Sequence, residues 1–268
     1  MQKFFISADI EGVAGVVDWN ETDLKESLAD YYKKQMSKEV AAACETLHKG
    51  GVKEVLVKDA HGSGRSITPS MLPKATKILR SWPRNPYSMM GGIDESFQGA
   101  GFIGYHSGAG YNGNPLAHTM NGNIFEFLIN DIKVSEFVMN AWTATHFNVP
   151  VFFLSGDKQL CEVAKTFAPN IKTAAITEGI GGGSISIHPD LALEEISAMV
   201  KSALDMDPKK MLLNLPDKFD ITLTVKRHEH AYRISFYPGV KQTGAHNIKV
   251  KFKTWMEVLT FIFFTFSI

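Results

Sequence analysis

Cysteine is scarce in this chain of 268 residues, which contains only Cys44 and Cys161. Neither cysteine belongs to a CxxC pair, and Cys44 lies in an apolar stretch that is typical of a buried helix. Two isolated cysteines argue against a disulfide framework. We therefore expect a protein of a reducing compartment, the cytoplasm.

The chain also lacks a long apolar run and an excess of one charge. Its N-terminus has no apolar region followed by a small-residue cleavage site, as a signal peptide would. The apolar tail, residues 259–268, is shorter than the roughly 20 residues that cross a bilayer. Lysine plus arginine and aspartate plus glutamate number 28 each, so the formal net charge is zero. We expect no membrane and no nucleic-acid partner, and we predict that the tail packs on the core or at a subunit interface as a final helix or strand.

Several common catalytic motifs are missing as well. No GxSxG sequence is present, which argues against the nucleophile turn of an α/β-hydrolase. The glycine run 181–183 lacks the lysine of a P-loop and does not match the GxGxxG dinucleotide motif. We interpret this run as a flexible loop or one close to the substrate.

Strand-like and helix-like segments alternate over the first 205 residues. Short apolar runs predict strands at 3–9, 55–59, 101–105, 123–130, 151–155 and 172–177. Apolar residues at helical spacing predict helices at 23–49, 71–82, 134–147, 157–168 and 189–204. Because the strands are continuously apolar and alternate with helices, we predict an α/β fold with a mostly parallel sheet and helices on both faces.

The pattern changes after residue 205. Segments 220–226, 233–238 and 248–252 alternate apolar and polar residues, which is typical of strands with one exposed face. We therefore predict two domains, a larger one at 1–205 and a smaller α+β unit at 206–268. The smaller unit would serve oligomerisation or form a wall of the active site.

Carboxylate and imidazole side chains stand at the ends of several predicted elements. These residues are Asp9, Glu11, His61, His106 and Glu136. Ligands of parallel sheets bind beyond the carboxyl ends of the strands, so such residues can converge there. Oxygen and imidazole ligands suit zinc, manganese or iron. The set predicts one metal site that activates water.

Taken singly, each residue has an ordinary structural alternative. Asp9 and Glu11 could lie in a solvated acidic loop, and His106 could be a hydrogen-bonded histidine at the end of a buried strand. Asp59 could bind metal, orient the nearby histidine or stabilise a turn. Glu136 could interact with the positive end of a helix. Only the joint occurrence of these positions favours a metal site.

These positions fall within segments that resemble a known family. The segments are SADIEG at 7–12, VKDAH at 57–61, GYH at 104–106, HTM at 118–120 and VSE at 134–136. In this order they are similar to the D-aminopeptidases related to the dipeptide-transport operon, the M55 peptidases. The resemblance covers residues 1 to about 157 and continues more loosely beyond. The set is specific, although no single segment is.

The resemblance implies a centre with two zinc ions per chain. Asp9 would bridge the two ions. Glu11 and His61 would complete one site, and His106 with Glu136 would complete the other. The resemblance also implies a ring-like homo-oligomer, a decamer, with its active sites facing an enclosed space.

The resemblance further implies that His118 is the catalytic group beside the metals, as base or nucleophile. We predict a zinc-dependent aminopeptidase that acts on short peptides with D-residues at the N-terminus, with 1–205 as its catalytic domain. Another dinuclear metallohydrolase, such as an amidase or phosphoesterase, and a non-catalytic peptide-binding protein remain open. Residues 62–66 and the glycine run depart from the family pattern, which leaves the substrate preference open.

Overall fold

The computed structural model describes residues 1–266, and this range contains two β-sheets and six α-helices. The strands are β1 (Lys3–Ala8), β2 (Glu54–Asp59), β3 (Thr76–Leu79), β4 (Ala100–Tyr105), β5 (Ile124–Ile129), β6 (Ile132–Lys133), β7 (Val151–Asp157), β8 (Lys172–Ile180), β9 (Gly183–Ser186), β10 (Phe219–Val225), β11 (Lys241–Gln242) and β12 (Asn247–Phe252). The helices are α1 (Ala29–Lys49), α2 (Glu136–His146), α3 (Lys158–Phe167), α4 (Pro189–Leu204), α5 (His228–Ile234) and α6 (Trp255–Thr265).

The larger sheet has seven strands in the order β3-β2-β1-β4-β7-β8-β9. All neighbouring strands are parallel except β8 and β9, which form an antiparallel hairpin. Successive residues of β1 point to opposite faces: Phe4 packs in the cluster that contains α1 and α4, and Phe5 packs in the cluster that contains α2 and α3. The predicted α/β fold, with a mostly parallel sheet and helices on both faces, is confirmed.

The smaller sheet has five antiparallel strands in the order β11-β12-β10-β5-β6. Its central strand β10 alternates buried and more exposed residues, as expected for a sheet with one wet face. The buried face continues into the aromatic core through Phe219, Trp142 and Trp255. Strands β5 and β6 come from the part of the chain before residue 205, so this sheet joins both predicted domains. The division into 1–205 and 206–268 stays a prediction.

The helix predicted at 71–82 is wrong. This stretch forms a single 3₁₀ turn at Pro69–Met71 and then strand β3. Pro73 disfavours a continuous helix because it lacks an N–H group and clashes with the preceding turn. The backbone instead pairs in parallel with β2, where Val55 lies opposite Thr76.

Two other local predictions need correction, and the structure places the glycine run. The strand predicted at 233–238 is replaced by α5 and a following turn, because Ala231 and Ile234, three residues apart, are buried on one helical face. The glycine run 181–183 belongs to the tight hairpin between β8 and β9, with Ile180 paired to Gly183. The helix predicted at 23–49 begins only at Ala29, since the residues before it form turns.

The apolar tail forms α6, in agreement with the prediction of a final helix or strand. Phe261 is fully buried within the core, and Phe266 is nearly so. The last two residues of the predicted tail, 267–268, lie outside the described residues. Among the helices that the structure describes, none combines the length and apolar character needed to cross a membrane.

Candidate metal centre

Three neighbouring strands in the middle of the larger sheet carry site residues just beyond their carboxyl ends. The order β2-β1-β4 places their carboxyl ends side by side. Asp9 follows β1 directly, His106 follows β4 directly, and His61 comes two residues after β2. Because parallel strands end at the same edge of a sheet, residues separated by up to 97 positions in sequence meet here.

Glu11 reaches the site through a close approach of two backbone segments. The N–H of Gly12 donates to the carbonyl of Gly104 at 2.9 Å. A Cβ at residue 12 would lie only 1.9 Å from the carbonyl oxygen of Tyr105, so this position requires glycine. The strand ends at Ala8, and Glu11 therefore lies in a turn and not on a continuing strand.

Glu136 enters from the opposite side as the first residue of α2. Ser135 caps this helix by accepting a hydrogen bond from the N–H of Val138. The backbone N–H of Met120 donates to Oε1 of Glu136 at 2.7 Å, which fixes the orientation of the carboxylate. A helix N-terminus also favours negative charge, so the helix contributes to the electrostatics of the site.

Asp9 lies between two groups of side chains. Its Oδ1 is 3.3 Å from Nδ1 of His61, which is also 3.1 Å from Oε1 of Glu11. Its Oδ2 is 3.6 Å from Nε2 of His106, which is 3.4 Å from Oε2 of Glu136. Potential ligand atoms within each of these two groups lie within 4.8 Å of one another. The two groups share only Asp9.

Each imidazole at the site, when neutral, directs a lone pair inward. His61 donates from Nε2 to the carbonyl of Thr22, and His106 donates from Nδ1 to the carbonyl of Ser107. His118 donates from Nδ1 to the carbonyl of Leu116. A carbonyl can only accept, so the remaining ring nitrogen of each neutral histidine carries the lone pair. Such hydrogen bonds are the usual means of orienting histidine ligands of a metal.

The donor set fits divalent metal ions. Nε2 of His106 and Oε2 of Glu11 are buried and have no hydrogen-bond partner within the described chain. Buried polar atoms are normally satisfied, and a cation would satisfy both of these atoms. Carboxylate oxygens and neutral imidazoles are ligands of zinc, and the tetrahedral sites of zinc often contain them.

The mutual influence of these groups is visible in their pKa values. Burial raises the pKa of Asp9 well above its usual value, and the charge of Glu11 adds to this shift. Burial disfavours the ionised form of Glu136, but the charge of His106 outweighs it and lowers the pKa to about 2. Burial likewise opposes protonation of His61 and His106, yet the facing carboxylates raise both pKa values well above the usual range. The site therefore favours positive charge between its carboxylates.

His118 lies beside both groups and not between them. Its ring stacks on that of His106 with 4.3 Å between centroids, and Trp19 contacts it edge-on at 5.2 Å. Its Nε2 is 3.6 Å from Oε1 of Glu136. Burial and the neighbouring His106 lower its pKa, which favours the neutral ring. Potential ligand atoms of His118, Glu11 and His106 also lie within 4.8 Å of one another, so the position is compatible with a third ligand group.

Asp59 takes the turn-stabilising role among its three alternatives. Its Oδ2 accepts a hydrogen bond from the N–H of Ile67 at 2.7 Å. It belongs to none of the potential ligand groups found in the described part of the chain. The acceptor that orients His61 is the carbonyl of Thr22, 39 positions earlier in the chain. No local sequence signal could have identified that backbone group.

A buried polar network lies beneath Asp9 and was not predicted from the sequence. The hydroxyl of Ser7 donates to the carbonyl of Met89 at 2.8 Å and lies 2.7 Å from the hydroxyl of Tyr105. Asn140 donates to the Tyr105 hydroxyl at 3.0 Å. The network ties β1, β4 and α2 together directly under the site. Ser7 and Tyr105 lie in two of the segments that resemble the peptidase family, but no pattern in the sequence indicated this network.

A cavity of about 430 Å³ opens above the candidate ligands. It is lined by Asp9, Glu11, His61, His118 and Glu136, together with aromatic and apolar side chains such as Trp19 and Trp82. The volume is in the range of small-ligand sites. All six predicted site residues thus lie in or directly beside one cavity, whereas their roles as ligands and catalyst remain predictions.

The M55 peptidase family model, described as D-aminopeptidase, matches residues 2–264. The chain belongs to this family. The predicted enzyme class, a peptide hydrolase of the aminopeptidase type, is thereby confirmed.

Individual relatives match over almost the whole chain. A D-aminopeptidase from Bacillus subtilis (strain 168) is 29% identical over 257 residues, which cover 95% of this chain and 93% of the relative. A solved structure described as the zinc-dependent D-aminopeptidase DppA from Bacillus subtilis, a self-compartmentalizing protease, superposes with a TM-score of 0.92. The sequences are 25% identical, and the match covers 99% of this chain and 97% of that one. Both the fold and the family resemblance inferred from the sequence are supported over almost the whole chain.

Proposed function

We propose that this protein is a zinc-dependent aminopeptidase that removes the N-terminal residue of short peptides, with a preference for D-residues at that position. The observation that carries the proposal is the position of Asp9, whose two oxygens face separate imidazole–carboxylate groups beneath one cavity. The similarity to a solved zinc-dependent D-aminopeptidase supports both the metal and the substrate class.

In this proposal the chain binds two zinc ions. Asp9 would contribute to holding both ions. Glu11 and His61 would complete the ligands of one ion, and His106 and Glu136 those of the other. The separation of the Asp9 oxygens toward two different histidines supports this division of ligands.

Bound zinc would supply Lewis acidity toward water and toward the scissile carbonyl. The chain itself contributes a proton acceptor, Nε2 of His118, whose partner nitrogen is already committed to the Leu116 carbonyl. The lowered pKa of His118 favours the unprotonated form of this nitrogen, as a general base requires. The ring of Trp19 contacts the His118 ring edge-on, and both residues line the cavity.

We further propose that the chain forms a ring-like homo-oligomer, a decamer, in the cytoplasm. The solved relative is described as self-compartmentalizing, which requires several copies around an enclosed space. Both cysteines, Cys44 and Cys161, are buried and free, in keeping with a reducing compartment. Within the chain, residues 1–205 would hold the catalytic site, and the unit at 206–268 would add one of its walls.

Metal content per chain, measured together with hydrolysis of D-Ala-D-Ala and L-Ala-L-Ala, tests the proposal. We expect two zinc ions per chain and faster hydrolysis of the D-peptide. Hydrolysis of an aryl phosphate by the same preparation, with no peptide cleaved, would instead identify a phosphoesterase. A chain that binds no metal after exposure to zinc would contradict the proposed centre.

A further inference from the structure

A second cavity of about 480 Å³ adjoins the candidate metal centre. Four residues line both cavities: Trp82, Ser88, Met120 and Asn121. A molecule bound at the metal centre can therefore extend along this shared wall into the second cavity. The second cavity is also bounded by the C-terminal helix α6, through Ile262 and Phe266.

The shared wall is held in place from several directions. Trp82 donates from Nε1 to the carbonyl of Gly62 at 2.8 Å, next to the candidate ligand His61. The ammonium of buried Lys58 lies 4.0 Å from the centre of the Trp82 ring, a cation–π contact. On the other side, Asn121 donates from Nδ2 to the carbonyl of Phe266 at 2.7 Å. The indole and the amide thus have fixed orientations toward both cavities.

The backbone of this wall adopts unusual conformations. Among residues 1–266, seven non-glycine residues have a positive φ, and three of these are Asn or Asp, which tolerate it. The other four are Ser81, Arg84, Ser88 and Met120, with φ of 63°, 62°, 49° and 66°. Three of the four line the second cavity, and Ser81 precedes Trp82. Left-handed non-glycine residues of this kind concentrate at sites that bind ligands.

The lining of the second cavity is mostly apolar and includes one cationic side chain. Pro83, Met120, Ile262 and Phe266 supply apolar surface, and Arg84 supplies the only charged side chain among the described lining residues. Arg84 is exposed, and no carboxylate within residues 1–266 forms an ion pair with it. The adjacent cavity at the candidate metal centre, in contrast, is lined by three carboxylates. A ligand that spans both cavities would therefore carry its own carboxylate at the Arg84 end.

We infer that this second cavity binds the second residue of a dipeptide substrate, with its apolar side chain against Met120 and Phe266 and its free carboxylate against Arg84. The inference rests on the proposed function, which places the first residue and the scissile bond at the metal centre. Arginine is suited to this task because its planar guanidinium binds a carboxylate through two hydrogen bonds. The positive charge of Arg84, with apolar surface beside it, favours a dipeptide with a free C-terminal carboxylate over the corresponding amide.

Binding of uncleavable analogues tests the inference on the zinc-loaded protein. The probes are D-Ala-D-Phe with the peptide carbonyl reduced to CH₂, as free acid and as C-terminal amide, and the matching D-Ala-D-Asp acid. We expect calorimetry to give about tenfold tighter binding of the D-Phe acid than of its amide, and the same advantage over the D-Asp acid. Arg84→Gln should abolish the difference between acid and amide, and Arg84→Lys should restore part of it.

Arg227→Gln is the matched control, since it removes the same charge from an exposed arginine outside both cavities. Equal binding of acid and amide by the wild type, or an equal effect of the two Gln variants, would overturn the inference even if dipeptides are hydrolysed. Hydrolysis of the unmodified dipeptides is measured in parallel. The protein could also bind the acid more tightly than the amide and yet hydrolyse no dipeptide of either configuration. That result would support the role of the second cavity and contradict the proposed activity.

Discussion

Nε2 of His106 lies 3.4 Å from Oε2 of Glu136, and the exposed fractions of the two side chains are only 1% and 4%. The other ring nitrogen of His106 donates to the Ser107 carbonyl, so a neutral His106 presents a lone pair to the carboxylate. Two electron-rich atoms this close in a buried setting need a proton or a metal ion between them. This relationship leads directly to a test of the metal centre.

His106→Gln should reduce the zinc content from two ions per chain to one. The variant removes the imidazole from the Asp9–His106–Glu136 group and leaves the Asp9–Glu11–His61 group complete. His146→Gln is the control, because His146 is an exposed histidine on the same helix as Glu136. Elemental analysis after gel filtration measures the content. Two ions retained in His106→Gln would show that His106 is not a ligand.

His118→Ala should keep its metal and lose activity by about 10² to 10⁴-fold, the range for removal of a general acid or base. His118 belongs to neither group that shares Asp9, so its loss leaves those ligands in place. The measurement is kcat for a cleaved dipeptide together with zinc content. A parallel loss of zinc would instead identify His118 as a ligand, within the group it forms with Glu11 and His106.

Glu39 predicts a specific dependence of stability on pH. This residue of α1 is fully buried, and burial raises its pKa from 4.5 to about 7. The folded chain therefore holds a proton that the unfolded chain has already lost between these pH values. The contribution of Glu39 to the free energy of unfolding is therefore highest below about pH 4.5 and falls as the pH rises to about 7. The total decrease is up to about 3 kcal/mol.

Glu39→Gln should remove this dependence, because the amide does not titrate. Its side-chain oxygen can still accept the hydrogen bond from the N–H of Ala14. Urea unfolding at pH 5 and pH 8, with chelator present throughout, compares wild type, Glu39→Gln and the exposed control Glu45→Gln. The wild type and the control should lose stability relative to Glu39→Gln at the higher pH. Parallel pH profiles for all three proteins would contradict the assignment.

Gly12→Ala should destabilise the protein by more than about 2 kcal/mol and weaken zinc binding, since the new methyl would collide with the Tyr105 carbonyl. The collision pushes apart the turn that carries Glu11 and the end of β4 that carries His106. Gly182→Ala is a suitable control because nothing lies within 4 Å of its added Cβ. Urea unfolding and zinc titration measure both effects. Similar behaviour of the two variants would exclude the close approach as a requirement.

Most of the fold could be predicted because its elements have strong local patterns. Helix α4 matched its predicted bounds, since apolar spacing, Pro189 at its start and a regular polar face all agree. Segments 71–82 and 233–238 were assigned wrongly because their short patterns are ambiguous. Pairing with the edge of β2 makes part of the first segment a strand. Burial of Ala231 and Ile234 on one face gives a helix, α5, that extends into the second segment. β-Strands depend on partners that are distant in sequence, so local patterns identify them less reliably.

The sequence by itself determined the residue types of the candidate site and the strand ends that carry them. It did so because a parallel sheet sends every strand end to one edge, and a polar residue after an apolar run marks that edge. Only the tertiary structure decided that Asp9 faces two imidazoles, that the Thr22 carbonyl orients His61, and that Trp82 lines two adjoining cavities. Those relationships depend on strand order, on hydrogen bonds across 39 or more positions and on the path of irregular loops. Distances between such segments are set by the packing of the whole core, which no local pattern in the sequence encodes.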